Sequence, residues 1–129
     1  MLLTKEFSRR LQRTTSELNN ATDNLRARVE VLEGSLQKIG PGVSAWIQLP
    51  SGVELGYTKM NKGWRLCIKQ KEQTWEFNEA PRQLRFESVD SIPLLLEQLL
   101  TNVEKLLELA TSRVSLVHSM SQAICDMEE

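Results

Sequence analysis

Residues that carry chemistry are scarce in this chain. Histidine occurs once, at 118, and cysteine twice, at 67 and 125. A catalytic triad needs its histidine beside a nucleophile and an acid, and no such spacing surrounds His118. Cys125 lies seven residues further on, about two helical turns away and out of hydrogen-bond reach. The cysteines form no C-x-x-C pair, so neither a disulfide framework nor a structural zinc site is expected. Buried free thiols in a reducing cytoplasm are the expectation instead.

Other chemical motifs are missing too. Glu104 and Glu108 are four apart but lack the Glu-x-x-His pattern of a carboxylate-bridged metal site. The segments GPGVSAW and PSGVELGY have neither the spacing nor the Lys-Ser/Thr of a phosphate-binding loop. The expectation is therefore a protein that is not an enzyme and uses no cofactor and no metal. Long hydrophobic runs are also absent. Glu97, Glu104, Lys105 and Glu108 interrupt the richest apolar segment, well short of the ~18 residues of a membrane helix. No membrane contact is expected, and the cytoplasm is the default location. The opening MLLTKEFSRRLQRTTS has the arginines and hydroxyls of a transit peptide, but Glu6 and the heptads that follow favour a structural helix.

Net charge is −1 at neutral pH, so any pull towards a charged partner must come from uneven distribution. The distribution is uneven. Residues 1–40 carry seven Lys/Arg against five Asp/Glu, residues 41–87 repeat that balance, and residues 88–129 carry two against seven. The last third is acidic and the rest mildly basic.

What the sequence does contain is two kinds of periodicity. Leu11, Leu18, Leu25 and Leu32 recur every seven residues, with Thr15, Thr22, Val29 and Leu36 alongside. That heptad pattern reads as one helix over 4–38, with a seam diluted by Thr, Ala and Arg. Its middle, TTSELNNATDN, is rich in weak helix formers, so packing must supply most of its stability. Gly40-Pro41-Gly42 ends it. From 43 to 78 the period drops to two. Four antiparallel strands are expected near 43–49, 53–60, 64–70 and 73–78, with turns at Pro50-Ser51-Gly52, Lys62-Gly63 and Lys71-Glu72.

Pairing Leu49 with Val53, Asn61 with Trp64 and Gln70 with Gln73 gathers one apolar face. It comprises Ala45, Ile47, Leu49, Val53, Leu55, Tyr57, Trp64, Leu66, Ile68, Trp75 and Phe77, and leaves Trp46, Arg65, Cys67 and Lys69 on the other. Residues 79–89 read as a connector in which Leu84 and Phe86 add a short strand or pack under the next helix. A second helix is expected over 91–127, with Asp90 or Ser91 as N-cap and Pro93 in the first turn. Apolar residues surround its first half, which should lie between the sheet and another helix. From Ala110 they narrow to a stripe suited to a coiled-coil arm.

The expected fold is α+β: long helix, four-stranded antiparallel meander and long helix, in one domain spanning 1–129, with the helices in a coiled-coil-like bundle. A 35-residue helix is roughly 52 Å long, against a radius of gyration of only ~14 Å for a compact chain of this size. Such helices protrude or pack along a second copy, so a homodimer is expected. Its candidate seam is Leu11, Leu18, Leu25, Leu32, Val103, Ala110, Val117 and Ile124. A second candidate surface is the hairpin around 57–71, which contains no acidic residue. There Trp46, Arg65 and Lys69, with Lys59 and Lys62, would bind a partner protein, making the chain an adaptor or chaperone-like binder. Nucleic acid is the alternative partner, through base stacking and phosphate contacts.

Overall fold

The computed structural model describes residues 4–128 and has the expected α+β architecture. Helix α1 (Lys5–Ile39) leads into strands β1 (Ala45–Gln48), β2 (Glu54–Met60), β3 (Gly63–Gln70) and β4 (Gln73–Glu76). A 3-10 turn (Phe77–Glu79), a short helix α2 (Arg82–Val89) and the long helix α3 (Ile92–Glu128) follow. The strands form one antiparallel sheet in the order β1-β2-β3-β4.

Local chemistry sets the boundaries. Thr4 caps α1 by accepting a hydrogen bond from the Phe7 N–H at 3.1 Å. At the other end Gly40 takes a left-handed φ of 64° and donates its N–H to the Leu36 carbonyl, 2.9 Å away. Two strand registers agree with expectation: Trp46 lies opposite Gly56, and Ile68 opposite Trp75. The β2–β3 register differs by two residues. The turn is Asn61-Lys62, and Met60 faces Gly63, so Lys59 lies opposite Trp64 and Tyr57 opposite Leu66. Asn61 and Lys62 keep negative φ, and the positive angle falls on Gly63, at 111°, which closes the turn rather than sitting inside it. A two-residue shift preserves facing, so the apolar face survives.

The expected connector is largely helical. After the extended Pro81, residues 82–88 hold no glycine or β-branched side chain, and α2 forms there. Ser88 donates its hydroxyl to the Leu84 carbonyl at 2.7 Å, Leu84 packs on the core, and Phe86 stays exposed. Strand β4 stops at Glu76, where the 3-10 turn begins, although Phe77 is fully buried.

Both long helices cover the apolar face. Val29 and Leu36 of α1 and Leu95 and Leu99 of α3 join Ala45, Leu49, Val53, Leu55, Tyr57, Leu66, Ile68 and Phe77 in one core. Ile47, Trp64 and Trp75 pack against its edge, with the Trp64 ring stacked on Tyr57 at 5.6 Å. Helix α3 lies on β1 and β2, and α1 lies on β3. Among the described residues, each long helix makes its main contacts with the sheet rather than with the other helix. Nor is the first half of α3 buried on several sides: Leu94 and Leu100 are 58% and 59% exposed, because no second helix covers them.

One buried carboxylate joins α1 to the sheet. Because β4 pairs with β3 only from Cys67 to Gln70, the Leu66 N–H has no strand partner on that side. Glu33 accepts it at 2.8 Å, and one turn later Gln37 donates to the Trp64 carbonyl at 2.8 Å. Glu33 is only 7% exposed. Burial raises its pKa above the ordinary value, and the Leu66 N–H and the Arg65 guanidinium offset this only in part. Its contribution to stability is therefore fully present when Glu33 is protonated, and declines as pH rises from the ordinary glutamate value through the raised one. Glu33→Gln keeps an acceptor without the charge, so thermal melts from acidic to neutral pH should show a flatter stability profile than wild type. Glu33→Ala strands the Leu66 N–H and should cost about 1–3 kcal/mol.

Candidate interaction surfaces

The outer face of the sheet is built on one cross-strand row. Trp46, Gly56, Cys67 and Glu76 lie side by side on β1 to β4. The Trp46 ring rests on Gly56 so closely that a methyl group there would overlap it. Trp46 is thus half-buried, its ring spread across the neighbouring strand. Cys67, expected on an outer face, is 0% exposed. Burial first, then the Glu33 and Glu76 carboxylates, push its thiol up to about 12. At neutral pH it is held as the thiol, a much weaker nucleophile than the thiolate.

The basic residues of the hairpin do not share one surface. Arg65 and Lys69 are on the outer face with Trp46, but Lys59 has the facing of the core residues and Lys62 is in the turn. Lys69 pairs with Glu54 on the adjacent strand at 3.9 Å. Arg65 donates to the Trp64 carbonyl at 2.9 Å and has Glu33 and Glu76 for neighbours in a cleft of about 250 Å³ between α1 and the β3–β4 edge. Arg26 also lines that cleft and binds the Asn78 carbonyl at 3.2 Å and Glu79 at 3.3 Å. Acidic neighbours therefore temper the positive field of this face. Glu33 is the residue sequence reasoning missed, although it stands between Val29 and Leu36 on the stripe that α1 buries.

The helices provide the second surface. Leu25 and Leu32 pack against the core, and Val103 is half-buried. Leu11, Leu18, Ala110, Val117 and Ile124 are exposed, with Leu11 at 57% and Val117 at 61%. The structure thus divides the expected seam into a part already used by the sheet and a part left open. Polar contacts end in the same region: Arg82 reaches Asn19 on α1 at 3.3 Å, and Asn102 of α3 donates to the Ser44 carbonyl at 3.0 Å. Outside those anchors, residues 4–18 and 104–128 are exposed.

His118 and Cys125 are both exposed on the outer part of α3. Among the described residues, no three His, Cys, Asp or Glu side chains gather so as to hold a metal ion. No described helix is long and apolar enough to cross a membrane.

Comparison with known proteins finds no match among family models, curated proteins or solved structures.

The row through Gly56 yields a direct test of the outer face. Gly56→Ala should displace the Trp46 ring and destabilise by about 1–3 kcal/mol in denaturant unfolding. The same substitution in a Trp46→Ala background should cost much less, because the ring it displaces is gone.

Proposed function

We infer that this chain is a non-catalytic protein-interaction module that works as a homodimer through its two long helices. The observation that carries this reading is the continuity of the stripes. On α1 the stripe that enters the core at Val29 and Leu36 continues outward through Leu25, Leu18, Leu11 and Phe7. On α3 the stripe of Leu95 and Leu99 continues through Val103, Leu106, Ala110, Val117 and Ile124. A solvated helix gains nothing from such a stripe, whereas a second helix laid along it removes apolar area from water at about 25 cal/mol per Å². The weak helix formers of residues 14–24 add a second reason, since an unpacked helix of that composition is marginal in water.

In this reading the dimer is an adaptor or chaperone-like binder, and the outer sheet face around Trp46 and Arg65 receives the partner protein. At its Arg65 end this face borders the cleft beside α1, and a half-buried tryptophan such as Trp46 is well suited to an interface. Nucleic-acid binding has weaker support, because Glu54 and the Glu33–Glu76 pair sit beside Lys69 and Arg65.

Sedimentation equilibrium tests the reading. Wild-type protein should be dimeric at micromolar concentration. Leu18→Asp or Val117→Asp, in arms remote from the core, should shift the population to monomer and leave the near-ultraviolet signal of the sheet tryptophans intact. A wild-type protein that sediments as monomer throughout would refute it.

A further inference from the structure

The arms differ in charge as well as in sequence. At the start of α1, Lys5, Arg9, Arg10 and Arg13 stand against a single acid, Glu6. Along the open part of α3, Glu104, Glu108, Asp126 and Glu128 stand against Lys105 and Arg113. All these side chains are exposed, and among the described residues none forms an ion pair within the chain. One arm carries a basic tip and the other an acidic flank, each beside an uncovered apolar stripe.

We propose that each α1 arm docks on the α3 arm of a second copy of this chain, giving two equivalent α1–α3 seams about a two-fold axis. The proposal rests on the dimer reading and specifies which helix meets which. Pairing like with like in parallel would set four cations of one α1 beside four of another, and the acids of one α3 beside those of its mate, while antiparallel like pairing would leave each basic tip away from any acidic flank of α3. Like charges across a seam disfavour pairing, and opposite charges select partner and register. The unlike arrangement matches apolar stripe to apolar stripe and basic tip to acidic flank. Because the arrangement is reciprocal, it closes as a dimer and does not propagate. Each α1 arm offers residues 4–18 beyond the Asn19 anchor, a seam of roughly 22 Å. Association of this kind weakens as salt screens the exposed charges.

The test uses two charge-reversed chains and sedimentation velocity at low ionic strength. One chain carries R9E, R10E and R13E; the other carries E104K, E108K, D126K and E128K. Thermal melts check that both keep the fold, since every substituted side chain is exposed. Each chain alone should self-associate on the order of tenfold more weakly than wild type or worse. Mixed one to one, they should recover wild-type affinity, because both seams of the mixed dimer are again complementary. A chain carrying all seven changes should recover it as well.

Three results would overturn the proposal. Reversals that leave a wild-type dimer unaffected would show that like arms pair, with the dimer reading intact. Recovery in the seven-substitution chain without recovery in the mixture would show that the arms pair within one chain. A wild-type chain that never associates would remove both the proposal and the reading it rests on.

Discussion

Each long helix carries one apolar stripe, and the sheet covers only part of it. That mismatch of lengths governs the rest of the structure. Strands of four to eight residues span far less than helices of 35 and 37. The covered portions of α1 and α3 close over a core that a four-stranded meander could not form alone. The uncovered portions keep the same pattern, which costs solubility unless something lies along them. Core and proposed interface are in this sense one continuous apolar surface, divided only by where the sheet ends.

How α1 is held shows how closely that division is drawn. β4 gives way to the 3-10 turn one residue before it could satisfy the Leu66 N–H, and the Glu33 carboxylate takes that place. A buried acid is a costly substitute for a strand, as its raised pKa records. In return the helix is fixed to one position along β3, with Gln37 and Arg26 anchoring it on either side. The outer sheet face is ordered by a different device: the Trp46 ring occupies the space above Gly56. Both devices leave the arms untouched, so the helices can be altered beyond the sheet without disturbing its core.

Much of this was legible in the sequence, for identifiable reasons. Alternation through Ala45, Ile47, Leu55, Tyr57, Leu66 and Ile68 survives any even register shift, so the buried face was readable although the β2–β3 turn was placed one residue late. That turn was misread because a glycine was assumed to lie inside the loop, whereas Gly63 uses its positive φ just after it. Helix α2 was not readable, since eight residues after Pro81 are too few for periodicity to separate helix from strand. Glu33 was missed because a charged residue on a heptad helix reads as solvated, and only the early end of β4 gives it an unpaired N–H to bind. The apolar stripe through Leu11, Leu18, Val117 and Ile124 was readable, but which of its residues the sheet would cover depended on where the helices crossed it. The basic hairpin read as a cluster because sequence proximity hides facing: Lys59 and Arg65 are near neighbours in the chain and on opposite sides of the sheet.

The central claim is that the exposed stripes of both arms are interface. Hydrogen–deuterium exchange followed across a dilution series tests it most directly, because it reads the arms separately from the sheet. The account predicts that amides in residues 7–22 and 104–124 gain protection as concentration rises, while those of β2 and β3 do not change. Arms that exchange rapidly at every concentration, or whose protection ignores dilution, would contradict it.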